Sequence, residues 1–168
     1  ANNQMVPTAE NFSGISILNA TIEITGTGQM SMNGQAGATT GSNHGIRIES
    51  GGDIIAGTSG QMMLEGTGGN SSSGNAHGIN VNGAGSTISS YGADVVLSGF
   101  GGGTASGDIN SGVDVNTSAL ISAGGSGLVI VQGTGGNSSG SNNNGVRVIS
   151  GGMITSSGND VTVTGIGK

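Results

Sequence analysis

Two histidines and a sparse set of charges are the residues whose chemistry comes first. His44 and His77 lie 33 positions apart, each immediately before a Gly-Ile pair, Gly45-Ile46 and Gly78-Ile79. If the chain repeats with that period, the two rings stand one above the other, within reach of a shared metal ion. The same phase holds only Ser13, Ser111 and Asn144 elsewhere, so a complete ligand set is missing and the histidines are weak metal candidates. Catalytic pairs are no better supplied. Glu23, Glu49, Asp53, Glu65, Asp94, Asp108, Asp114 and Asp160 are scattered in phase, and the only Lys is Lys168. Polysaccharide lyases and hydrolases need carboxylates clustered with a basic group on one face. Glu49 and Asp53 are the nearest approach to such a pair, around one bend, and a solvated corner is the simpler role for them. The sequence therefore predicts no catalytic residue, no cofactor and no enzyme activity.

Gly-rich stretches raise phosphate binding as a further possibility. Gly66-Thr67-Gly68-Gly69-Asn70 recurs as Gly133-Thr134-Gly135-Gly136-Asn137, but no Lys follows as in a phosphate-binding loop, and no helix is expected behind it. Gly51-Gly52-Asp53 is only a fragment of the calcium-binding nonapeptide pattern. A flat Thr ladder, as ice-binding solenoids require, is confined to Thr162 and Thr164. Tyr91 and Phe100 could act as sugar platforms, yet with two Phe and one Tyr in 168 residues the chain makes a poor lectin surface.

The element that positions all of these residues is a repeat. A Gly followed by two aliphatics around a variable residue occurs at Gly14, Gly45, Gly78, Gly112 and Gly145, at spacings of 31, 33, 34 and 33. A second aliphatic column recurs at Ile22, Ile54, Ile88, Ile121 and Ile154. A third run ends each time on Gly, at Gly34, Gly66, Gly99, Gly133 and Gly165. Short alternating β-branched runs separated by Gly- and Asn-rich corners are strands and bends. Helical repeats of similar period are excluded because Gly, Ser, Thr and Asn interrupt every few residues. A leucine-rich repeat lacks its Leu ladder, and a propeller would need a fourth strand per unit.

The reading is all-β: a right-handed parallel β-helix of about five coils, 31 to 34 residues each, with three short strands per coil. Residues 14–168 form one solenoid with repeats starting near 14, 45, 78, 112 and 145, and residues 1–13 serve as a segment linking to a preceding coil or subunit. Stacking makes ladders. Ile15, Ile46, Ile79, Val113 and Val146 point inward, as do Ile17, Ile48, Val81, Val115 and Val148, each burial contributing roughly 1.5 to 3 kcal/mol. Between these columns Ser16, Arg47, Asn80, Asp114 and Arg147 point outward, and Asp114 with Arg147 forms a predicted pair on neighbouring coils, worth about 0 to 1 kcal/mol if solvated. The loops after the third strand read as a flexible or stacked polar edge.

Charge and composition set the partners. A formal net charge of -6 with three cationic residues argues against nucleic acid, which needs clustered Lys and Arg. No run of 18 apolar residues suggests a membrane span. The absence of Cys and the low charge of a surface rich in Ser, Thr, Asn and Gly predict an extracellular or bacterial cell-surface location.

Gly78-Ile79-Asn80-Val81, Thr87-Ile88-Ser89 and Val129-Ile130-Val131-Gln132-Gly133 followed by Thr134-Gly135-Gly136-Asn137 resemble the stalks of filamentous-haemagglutinin-like exoproteins and autotransporter passengers of Gram-negative bacteria. The resemblance covers residues 14–168 and implies a secreted right-handed β-helix in an adhesin or extracellular fibre. The Asn-Pro motifs of the exoprotein secretion domain and a C-terminal membrane barrel do not occur in this sequence, so the chain reads as a segment or subunit. The expected partners are copies of itself, stacked end to end, with host glycans or proteins as further partners. The competing expectations are a monomeric adhesin stalk and a β-helical polysaccharide lyase or hydrolase.

Overall fold

The computed structural model describes residues 12–38, 40–104 and 106–168. Most of the expected N-terminal segment, residues 1–11, lies outside the described residues.

Every described regular element is a strand, and three strands make one coil. Coil 1 holds β1 (Ile15–Leu18), β2 (Thr21–Glu23) and β3 (Met30–Gln35). Coil 2 holds β4 (Ile46–Glu49), β5 (Asp53–Ala56) and β6 (Gln61–Thr67), and coil 3 holds β7 (Ile79–Asn82), β8 (Thr87–Ser90) and β9 (Asp94–Phe100). Coil 4 contains β10 (Val113–Asn116), β11 (Leu120–Ala123) and β12 (Val129–Thr134), and coil 5 contains β13 (Val146–Val148), β14 (Met153–Ser156) and β15 (Val161–Ile166). Equivalent strands pair in parallel to give three five-stranded sheets: A (β1-β4-β7-β10-β13), B (β2-β5-β8-β11-β14) and C (β3-β6-β9-β12-β15). The chain is a β-solenoid of about five turns.

Register follows the repeat residue for residue. Ile46 pairs with Ile79 and Ile79 with Val113 in sheet A, Ile88 with Ile121 in sheet B, and Val95 with Val129 in sheet C. Alternation along each strand turns one set of side chains into the solenoid, where stacking makes identical positions neighbours. Ile46, Ile79 and Val113 are fully buried, as are Ile54, Ile88 and Ile121. This aliphatic cluster runs along the axis through coils 1 to 4, with Ile15, Val146 and Ile154 packed against it at the ends. No coil could hold its core alone.

The corner between sheets C and A explains one glycine column. A Cβ on Gly66, Gly99 or Gly133 would run into the carbonyl oxygen of Gly78, Gly112 or Gly145, where the chain returns to start the next coil. Any larger residue would push that return outward and break the stack. At the corner between sheets A and B, Ser50 and Gly51 both take positive φ, 56° and 76°, and Ser150 and Gly151 repeat the turn in coil 5 with 50° and 78°. The second residue of that turn is the one that glycine relieves of strain.

The two ends differ. On coil 5, Val148 and Val161 are 42% exposed and Val163 48%, although their phase points them inward. Their coil-1 counterparts Ile17 and Met30 are 3% and 6% exposed, while Leu18 and Ile22 there are exposed.

Candidate functional site

The polar residues of the solenoid converge on the outer side of sheet A and the arch that leads into it. Register sets Arg47 beside Asn80, Asn80 beside Asp114, and Asp114 beside Arg147. Arg147 Nε donates to Asp114 Oδ1 at 2.5 Å, and Asn80 Nδ2 donates to Asp114 Oδ2 at 3.4 Å. The expected Asp114–Arg147 pair forms, but the solvated case does not apply: Asp114 is 1% exposed and Asn80 5%. A carboxylate clamped from the coil above and the coil below has little surface left for water. Its ion pair is accordingly a buried one, in which loss of either partner leaves an uncompensated group. Arg47 turns along its own strand instead, with Nη2 2.6 Å from Glu49 Oε2.

His44 and His77 stack, with ring centroids 5.0 Å apart and planes 2° from parallel. Each ring is tied to the coil above: His44 Nδ1 accepts from the His77 backbone N–H at 3.3 Å, and His77 Nδ1 accepts from the Ser111 N–H at 3.1 Å. An Nδ1 that accepts a hydrogen bond carries no proton, so both rings hold the tautomer protonated at Nε2. Burial pushes both imidazoles down to about 3, helped at His44 by the neighbouring His77 and at His77 by Arg147. With Nδ1 engaged in this way, each ring could offer only Nε2 to a metal. Among the described residues no group of three or more His, Cys, Asp or Glu side chains is arranged to hold one.

The arch after each sheet C strand is a stacked element with an interior of its own. Asn43, Ala76, Asn110 and Asn143 occupy one phase inside it, all essentially buried. Asn110 Oδ1 accepts from the Ala76 N–H at 3.0 Å, and Asn143 Oδ1 accepts from the Asn110 N–H at 3.1 Å. Asn143 Nδ2 in turn donates to the Gly140 carbonyl at 2.9 Å. An arch too narrow for an apolar core still has backbone groups to satisfy, and stacked amides satisfy them coil after coil. Sequence reasoning missed this column. The recurrence of Asn before the His/Ser/Asn position, at spacings near the repeat length, was the available signal.

The remaining carboxylates do not assemble with these groups. Asp53 Oδ1 accepts from the Thr87 hydroxyl at 2.6 Å, so Glu49 and Asp53 have separate partners. Asp94 accepts from the Leu128 N–H at 3.0 Å and Asp108 from the Ser141 hydroxyl at 3.0 Å. Each braces a neighbouring coil. Tyr91, in the turn between β8 and β9, and Phe100, at the end of β9, are both exposed and do not share a surface column.

The other distinctive surface is the coil-5 end. β13, β14 and β15 each pair on one side only, leaving an open strand edge on all three sheets. Val148, Met153, Val161, Val163 and Ile166 are exposed there. Among the described residues no helix is long and apolar enough to cross a membrane. No known family profile, no curated protein and no solved structure matches the chain.

Proposed function

We propose that this chain is a structural, non-catalytic element of an extracellular or cell-surface fibre, and that it works by adding coil to coil. The observation that carries the reading is the coil-5 end, where three strands with one open edge each frame the exposed Val148, Val161 and Val163, whose counterparts in coils 2 to 4 are buried. Exposed strand edges beside exposed aliphatics are a template for a further parallel coil. That coil can belong to the same polypeptide or to another copy.

Geometry favours a head-to-tail partner. Two coil-5 ends set face to face would meet with every strand antiparallel, and sheet B strands of four residues would oppose sheet C strands of six. A coil-1 end presents matching columns in parallel, and such a heterologous contact extends into a filament instead of closing into a dimer. The carboxylates support a non-catalytic role, since Asp53, Asp94, Asp108 and Asp114 each bind a neighbouring coil.

Electron microscopy of the purified chain tests the reading. Filaments one solenoid wide are expected with the natural sequence, and only short particles with Val161→Glu and Val163→Glu together. Dispersed short particles of the natural sequence at every concentration would contradict it.

A further inference from the structure

The outer face of sheet C carries a groove that stacking leaves untouched. Two outward columns border it: Ser98, Gln132 and Thr164 on one side, and Phe100, Thr134 and Ile166 on the other. The floor between them is the backbone of Gly99 and Gly133, and the depression has a volume of about 240 Å³. Phe100 and Ile166 are 42% and 57% exposed. The groove crosses coils 3, 4 and 5 and therefore runs along the solenoid axis.

We infer that this groove binds a neutral, linear oligosaccharide lying along the axis. Its two walls differ in chemistry. Phe100 and Ile166 offer an apolar wall suited to the C–H face of a sugar ring, where an aromatic side chain supplies large contact area at little conformational cost. Ser98, Gln132 and Thr164 offer hydroxyl and amide groups that both donate and accept, as sugar hydroxyls do. Among the described residues the side chains of Ser98, Gln132, Thr134 and Thr164 take part in none of the chain's own side-chain hydrogen bonds, so their capacity faces outward. The columns repeat at the strand spacing of about 4.8 Å, which lets successive sugar units meet successive coils.

Other occupants fit less well. A peptide cannot add as a strand, because β9 and β15 already flank β12 and the groove lies on a sheet face instead of an edge. An ionic polymer finds no charged side chain in either wall. A wholly apolar ligand would desolvate Gln132 and the hydroxyls without replacing their hydrogen bonds. The site stands independently of the fibre reading, since outward columns stay open when coils stack.

The test is an amide NMR titration of the Val161→Glu, Val163→Glu variant, kept short for resolution, with cellohexaose, maltohexaose and mannohexaose, and with polygalacturonate as the anionic control. At least one neutral hexasaccharide is expected to bind in the millimolar range or tighter, with shifts confined to the six wall residues and their neighbours. Phe100→Ala and Gln132→Ala should each weaken binding about ten-fold, a loss of roughly 1.4 kcal/mol, with the circular dichroism spectrum unchanged because both side chains lie outside the core. Absence of binding by all three neutral sugars, shifts elsewhere, undiminished binding in both variants, or equal binding of polygalacturonate would overturn the proposal.

Discussion

Coil 4 and coil 5 carry the same inward pattern and meet opposite fates. Val129 and Val131 are fully buried, whereas Val161 and Val163, their partners in register, are 42% and 48% exposed. Ile121 is fully buried and Ile154 only partly so. Nothing in the side chains accounts for the difference, since Val faces Val in sheet C. Burial in this fold belongs to a pair of coils, so the last coil is half of a contact.

The comparison can be broken most severely at the corner that lets coils stack. Gly99→Val should cost more than about 4 kcal/mol, because a side chain there meets the Gly112 backbone with no room to yield; urea unfolding followed by circular dichroism should find the variant unfolded or nearly so. The direct contrast comes next. Ile121→Ala should cost about 2 to 5 kcal/mol, and Val163→Ala less than about 1 kcal/mol in dilute solution, both read from denaturant midpoints. Equal losses at the two sites would show that coil 5 is covered.

The histidine stack adds a pH dependence. The folded chain holds His44 and His77 neutral down to about 3, whereas the unfolded chain protonates them near 6.5. The unfolded state therefore binds more protons across that window, and stability falls as the pH drops from about 6.5 towards 3. Arg47 and His77 strengthen the effect at His44, while Glu49 and Asp114 oppose it; Arg147 strengthens it at His77. Replacing both rings by Ser, which the same column carries at Ser111, should flatten the dependence measured by urea midpoints at several pH values.

A last contrast separates two ion pairs. Removing Glu49 from its half-exposed pair with Arg47 should change stability by less than about 1 kcal/mol. Arg147→Met, which leaves Asp114 buried without its cation, should cost about 3 kcal/mol or more. Similar losses would mean that the coil-5 edge leaves Asp114 as well solvated as Glu49.

What could be read from the sequence follows from the same physics. The columns Ile46-Ile79-Val113 and Ile54-Ile88-Ile121 were legible because period-two alternation and a fixed repeat each constrain them independently. The Asp114–Arg147 adjacency followed from register alone. Its burial did not, because outward phase says which way a side chain points and not what closes over it. The arch was also obscure: Asn110 and Asn143 look like solvated loop residues until their neighbours in the stack place an N–H against each amide oxygen. The Phe100 groove needed the glycine floor of Gly99 and Gly133, which hydrophobic patterning does not report.

The measurement that tests the central claim most directly is amide hydrogen exchange of β15 against β12 as the protein concentration is raised. If coil 5 is half of a contact, β15 amides exchange quickly in dilute solution and gain protection approaching that of β12 when concentrated, and Val163→Glu abolishes the gain. Protection of β15 that never changes with concentration would contradict the account.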